Sequence, residues 1–251
     1  MAVTPEPTLD RVVRFRRVFN VRDLGGLPTS DGRSVRRGLV YRADGVHRLA
    51  DEDLADARAL GLRTVIDLRT EEELARGRFP VEHHPVDWHH LPVLRRTWHA
   101  EDLRPDTSAA EFLRDRYLDM LVEGGGSLAR AIELIADGTP ALFHCAAGKD
   151  RTGVLATMVL GLLDVSTDEI AGDYHASAAA MVDFADWIRT EFPEAATAME
   201  DQPRQFLEAP REAMHGFLDT VEARYGSVEG LALELGVTHP TITALRAHLL
   251  T

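Results

Sequence analysis

The chain has 251 residues, 45% of them apolar, and a formal net charge of −13. That is enough apolar material for a sizeable core in one domain, while the longest apolar stretch, Gly153–Leu163, is too short to cross a bilayer. An acidic surface of this kind repels nucleic acid and anionic membranes in general, so an anionic ligand has to be drawn in by a local pocket. Short β-rich runs fall at 39–42 (LVYR), 64–68 (TVIDL), 88–93 (WHHLPV) and 141–145 (ALFHC), each bounded by polar or turn residues. Capping boxes open helices at Thr70-x-x-Glu73, Ser108-x-x-Glu111 and Ser166-x-x-Glu169. The 153–163 run is apolar on nearly every face and reads as a buried helix. A long helix is predicted over 166–192, a break over 201–210 and a further helix over 211–225. The alternation predicts an α/β sheet flanked by helices in a single domain spanning 1–251. The opening MAVTPEPTLDR lacks the charged-then-apolar order of a signal peptide, so a cytoplasmic protein with no integral membrane segment is expected.

Cys145 is the only cysteine, and Lys149, four residues on, is the only lysine among 28 basic residues. A lone cysteine forms no internal disulfide and no zinc site by itself; it is a buried hydrophobe, a surface thiol or a nucleophile. Its surroundings favour the last. Strand ALFHC, loop AAGKD and helix RTGVLATMV place the thiol and a run of backbone N–H groups at a helix N-terminus, where the macrodipole is positive. Arg151, six positions after Cys145, lets the amides of Ala146, Ala147, Gly148 and Lys149 and the guanidinium fork converge on one tetrahedral anion. Helix terminus and cation both favour the thiolate. The chemistry implied is in-line attack of sulfur on phosphorus, then hydrolysis of a phosphocysteine, with no cofactor and no metal. Gly148 lets the backbone turn close to the phosphate. Thr152 either bonds the sulfur or caps the helix. Asp150 is the nearest carboxylic acid by sequence and is assigned as general acid. Lys149 either adds a second positive charge at the rim or is a solvated loop lysine. His144 is expected to order the loop through hydrogen bonds rather than to act as a base.

The loop HCAAGKDRTG resembles the Cys-x5-Arg loop of the protein tyrosine phosphatase superfamily, in the form of the bacterial branch related to mycobacterial tyrosine phosphatase B. FNVRDLGG (19–26), VIDLRTEEE (65–73) and DYHASAAA (173–180) fit the same branch, so the resemblance covers most of the chain. It implies the three-layer phosphatase fold with a central, mostly parallel sheet. It also implies Cys145 as nucleophile, Arg151 as phosphate clamp, Asp150 as loop acid and Lys149 as a specificity residue for phosphotyrosine or phosphoinositide groups. The partners implied are a phosphorylated protein or phosphoinositide substrate. The Trp-Pro-Asp tripeptide that introduces the acid in much of the superfamily is absent, which favours Asp150, with Asp67, Asp87, Asp102 and Asp115 as rivals. The branch can cover its site with a helical lid, for which 178–212, with Phe184, Trp187, Phe192 and Phe206, is the candidate. Arg22 and Asp23 are expected to tie the N-terminal segment to the sheet near the loop.

Other readings have specific obstacles. Residues 231–250 resemble a helix-turn-helix, but 222–251 hold two Arg against three Glu, too few cations for DNA. A Walker loop needs glycine at 143, where Phe stands. A rhodanese-like sulfur-transfer loop does not explain the Arg-Thr-Gly run and loop carboxylate. The harder rival is a non-catalytic module that binds phosphoproteins or phosphoinositides through the same loop.

Overall fold

The computed structural model describes residues 10–104, 106–194 and 202–251. Among the described residues five short strands form one sheet: β1 (Arg22–Asp23), β2 (Val40–Ala43), β3 (Thr64–Asp67), β4 (Asp87–His90) and β5 (Ala141–His144), in the order β1-β2-β5-β3-β4. All neighbours are parallel except β1 on β2. Side chains alternate between two cores along the central strands, as period-two geometry requires. On β5, Ala141 and Phe143 enter the larger core with Cys145, whereas Leu142 enters the smaller one.

Helices α1 (Leu54–Ala59), α2 (Glu71–Leu74), α3 (Ala109–Asp137), α4 (Asp150–Leu162) and α5 (Thr167–His175) are followed by α6 (Ser177–Glu191) and α7 (Arg204–Leu207). The last three are α8 (Arg211–Tyr225), α9 (Val228–Glu234) and α10 (His239–Leu249). The 29-residue α3 packs on α4, α7, α8 and α10, and these helices cover one face of the sheet. The opposite layer is thinner, built from the N-terminal segment around Val18 and Val21, from Val46 and from Phe79. Helix α4 is buried at all but two of its thirteen positions and runs through the middle of the helical layer, as its uniformly apolar sequence requires. The capping boxes at Thr70 and Ser108 are formed, and the Ser166 hydroxyl caps α5.

Three expectations are corrected. The single helix over 166–192 is two helices that break at Ala176: Arg22 donates to the Asp173 carbonyl at 2.6 Å, competing for the acceptor that the Ser177 N–H would use. The break over 201–210 contains the short α7, while Asp201 lies outside the described residues. The strand at 88–93 is shifted to 87–90. The helix pair at the C-terminus exists, but its apolar face (Leu231, Ile242, Leu245, Leu249) is core, and Arg246 is held by the Leu162 carbonyl and Glu229. Among the described residues no helix is long and apolar enough to cross a membrane.

Candidate active site

The loop between β5 and α4 is shaped by where its carbonyls go. Ala146 O accepts from the Gly45 N–H at 3.1 Å, Ala147 O from Asn20 Nδ2 at 3.0 Å and Gly148 O from Arg42 Nη2 at 2.8 Å. With the carbonyls of Ala146, Ala147 and Gly148 so engaged, the N–H groups of Ala146 to Asp150 donate to no group among the described residues, which leaves them available to a bound anion. Gly148 makes the turn possible: its φ is +65°, and a Cβ there would lie 2.6 Å from Ala43 O and 2.7 Å from Asp44 N.

Beneath the loop, the segments 19–26 and 173–180 meet. Buried Asp173 receives Arg11 at 3.0 Å, Arg22 at 3.0 Å and Arg42 at 2.6 Å. Arg42 is thus bonded at one end to Asp173 and at the other to the loop carbonyl. Burial would raise the Asp173 carboxyl, but Arg22, Arg42 and Arg11 outweigh it and hold the group well below the usual carboxylate range. Asp23 accepts from the Gly25 and Gly38 N–H groups, at 2.7 Å each, and fixes the turn after β1. The expectation that Arg22 and Asp23 tie the N-terminal segment down near the loop is met by these bonds.

Arg151, on the first turn of α4, donates to Glu73 through Nη1 and Nη2, at 2.5 and 3.0 Å, with both side chains almost fully buried. Glu73 is the N3 residue of the Thr70 capping box, so one carboxylate closes a helix and aims the arginine. Burial opposes the charge on Arg151, but the neighbouring Cys145 and Glu73 raise its pKa further, and it stays a guanidinium at any working pH. Sequence reasoning found Glu73 only as a cap; its second role depends on the chain folding β3 beside β5.

A cavity of about 490 Å³ opens above the loop. Ala146, Ala147, Asp150 and Arg151 line it, as do Glu73, Arg48, Arg69 and Arg76, with walls from Trp98, Phe184 and Phe206. Cys145 lies under this floor and is 1% exposed. Gly148, Lys149 and Thr152 are not on the cavity wall. Thr152 is fully buried and its hydroxyl has no hydrogen-bond partner among the described residues, so it neither bonds the sulfur nor caps the helix.

Lys149 differs from both sequence readings, since it is neither a rim cation nor solvated. Its side chain is 1% exposed, with Nζ 2.7 Å from the Glu208 carbonyl and 3.0 Å from Asp150 Oδ1. Asp150 also accepts from the Tyr117 hydroxyl at 2.7 Å. His144 points to the far side of the sheet, with Nδ1 3.3 Å from Cys145 O and Nε2 3.5 Å from Asp67; burial lowers its pKa to about 4, so it is neutral.

The rival acids are engaged elsewhere. Asp67 chelates Arg69 with contacts from 2.6 to 3.1 Å, and Asp102 pairs with Arg96. Asp115 pairs with Arg114 on the surface, and Asp87 stands at the opposite end of the sheet from the loop. Asp150 is the one of the five that lines the cavity.

The segment proposed as a lid contributes walls. Met181, Phe184 and Ile188 of α6 and Phe206 and Leu207 line the cavity, while residues 195–201 of that segment lie outside the described ones. Phe184 and Trp187 pack with Phe19 at ring separations of 6.0 and 5.6 Å, and Arg48 sits 4.9 Å over the Phe184 ring. Phe206 stacks on Phe112 at 5.3 Å. Among the described residues there is no grouping of three His, Cys, Asp or Glu arranged for a metal ion.

The chain is similar in sequence to several known proteins. The triple specificity protein phosphatase PtpB of Mycobacterium tuberculosis is 28% identical over 273 aligned positions, covering 92% of this chain and 96% of that protein. A tyrosine-protein phosphatase of Nostoc commune is 29% identical over 230 positions, covering 88% of this chain and 78% of that one. A Cupriavidus necator protein with a provisional tyrosine-protein phosphatase name is 34% identical over 168 positions, which are 64% of this chain and 60% of that protein, so the chain spans well under its full length. Among solved structures, P. aeruginosa TpbA is distant, with 18% identity and a TM-score of 0.33 over 81% of this chain and 89% of that one. The family model for tyrosine phosphatases matches residues 13–251. A match that begins ahead of Asn20 and Arg22 and ends beyond the last helix takes in every element that shapes the loop, and the chain belongs to the tyrosine phosphatase family.

Proposed function

We propose that the protein is a cysteine phosphatase that hydrolyses phosphomonoesters, phosphotyrosine in protein first among them, through a phosphocysteine on Cys145. The observation that carries this reading is the loop itself: carbonyls tied to Gly45, Asn20 and Arg42, amides with no acceptor among the described residues, and Arg151 fixed by Glu73 at the wall of a cavity. The phosphate sits over the sulfur with its equatorial oxygens on the amides of Ala146 to Lys149 and on the guanidinium. Sulfur attacks phosphorus as the ester oxygen leaves, and Asp150 gives that oxygen its proton. Water then attacks the phosphocysteine, Asp150 takes a proton back, and the thiolate departs with inorganic phosphate as the product. The amides and Arg151 hold the charge of both transition states, the kind of preorganised electrostatics that dominates such reactions. No metal enters the scheme.

Trp98, Phe184 and Phe206 form apolar walls that suit a phenyl ring, which is why phosphotyrosine leads. Exposed Arg76, also on the wall, is where a phosphoinositide or a phosphoserine/threonine peptide would gain a second contact. The test is turnover of a phosphotyrosine peptide, a phosphoserine peptide and a phosphoinositide panel with chelator present, in wild type and Cys145→Ser. Loss of all turnover in the variant is expected. Retained turnover in Cys145→Ser would overturn the mechanism, and tight binding without wild-type turnover would make the protein a phosphate-binding module instead.

A further inference from the structure

Asp150 does not stand alone beside the leaving group. Its Oδ1 accepts from two groups, the Tyr117 hydroxyl on α3 at 2.7 Å and the Lys149 ammonium at 3.0 Å. Behind Tyr117 the Tyr174 hydroxyl on α5 lies 2.6 Å away, and both tyrosines are buried. A phenol has one proton to give. Because Tyr117 gives its proton to Asp150, the Tyr174 hydroxyl is the donor to Tyr117, and the chain of bonds has one direction.

We propose that Tyr117, backed by Tyr174, is a positioning residue that keeps Asp150 Oδ1 an acceptor throughout the cycle, so that Oδ2 alone exchanges the proton with the leaving oxygen and then with water. The inference rests on the acid role given to Asp150 above. In the first step the Oδ2–H bond breaks and the O–H bond of the departing alcohol or phenol forms; in the second, Oδ2 takes one proton from the attacking water. The same two donors accept the growing charge on the carboxylate without moving. The charged and titratable groups facing Asp150 are Lys149 and Arg151 from its own segment, Tyr117 from α3 and Tyr174 from α5, with Arg42 behind Tyr174. Burial and the nearby Asp150 push both phenols well above their ordinary range, so they remain proton-bearing donors at any pH the enzyme meets.

The experiment is kinetics of Tyr117→Phe on aryl phosphates of graded leaving-group acidity, with pH profiles. The ring packing on Tyr174 and Phe217 is kept by Phe, and only the hydroxyl is lost. A charge-assisted hydrogen bond is removed, so turnover of the poorest leaving group should fall roughly ten- to hundredfold, while that of the most acidic phenol changes little. The alkaline limb of the profile should move to higher pH, because a donor favouring the carboxylate has gone. Tyr174→Phe should show the same pattern more weakly, and it carries the test if the first variant does not fold. A merely structural tyrosine would lower all substrates alike and leave the profile in place, and that result overturns the inference. Asp150→Asn separates the two layers. If it selectively slows poor leaving groups while Tyr117→Phe behaves as wild type, only the tyrosine inference falls; if it leaves them unaffected, the acid assignment falls and takes the inference with it.

Discussion

Glu73→Gln isolates the carboxylate that aims Arg151. The pair is bidentate, with contacts of 2.5 and 3.0 Å, and the two side chains are 8% and 9% exposed, so solvent screens it little. Removing one partner of a buried pair outright costs about 3–5 kcal/mol, largely for the charge left behind. Glutamine keeps the shape and one carbonyl acceptor, so roughly 2 kcal/mol should be lost, or about 4–8 °C in Tm for a chain of this length. An arginine no longer held in one plane meets the phosphate in several poses, and kcat/KM should fall at least about tenfold. Inorganic phosphate should raise the melting temperature more in the variant than in wild type, because the oxyanion takes the place of the lost counter-charge. The assay is a pair of thermal unfolding curves with and without phosphate, alongside turnover of an aryl phosphate. A variant melting within about 1 °C of wild type with unchanged kcat/KM would refute the claim that Glu73 sets the clamp.

Gly148→Ala forces a Cβ to within 2.6 Å of Ala43 O at a φ of +65°, and because the obstacle is strand backbone the loop itself must lift. The strain is of order 1–3 kcal/mol, and since the cradle is what moves, activity should drop by more than stability suggests; turnover and melting on one sample decide it. Asp173→Asn leaves Arg11, Arg22 and Arg42 without their shared carboxylate and should cost about 3–5 kcal/mol. The sign of its pH dependence is fixed: the folded pKa is depressed, so the stabilisation is full above the unfolded value of about 3.9 and is lost as pH falls below it. Wild-type Tm should therefore fall as pH drops below about 4, with a smaller fall in the variant.

The strands TVIDL and ALFHC were legible because a buried parallel strand is a short apolar run with turn residues at its ends, and the observed strands lie within the runs expected. The loop was legible as a strand-to-helix connection because the residues that form it are consecutive in sequence. What the sequence could not offer was anything held by two distant segments. Strand β1 has two residues and no alternation to detect; it exists because Arg22 is drawn to Asp173, 151 positions away. The break at Ala176 comes from the same contact. Lys149 reads as a loop lysine until α7 and the Glu208 carbonyl close over it. Tyr117 sits on a helix whose start was marked by Ser108 but whose partner on the loop was 33 residues on, with no pattern joining them.

On the proposed function, a chain of net charge −13 has to hold a phosphate dianion, and the cluster around Asp173 supplies local positive charge for it. Near the loop most charges cancel in pairs: Arg151 with Glu73, Lys149 with Asp150, Arg69 with Asp67, Arg48 with Asp44. Asp173 is different, since one carboxylate faces three arginines, and two positive charges are left over beneath the loop. Burial and the neighbouring Arg42 push Arg22 down to about 10, which still leaves it charged at neutral pH. That excess is transmitted by Arg42, whose guanidinium touches both Asp173 and the Gly148 carbonyl. Buried cations in a low dielectric act on a nearby anion far more strongly than surface carboxylates screened by water and salt. On the proposed function, an oxyanion over Cys145 would meet the loop amides and the Arg151 fork, with the arginine cluster around Asp173 behind the Gly148 carbonyl, whatever the sign of the surface.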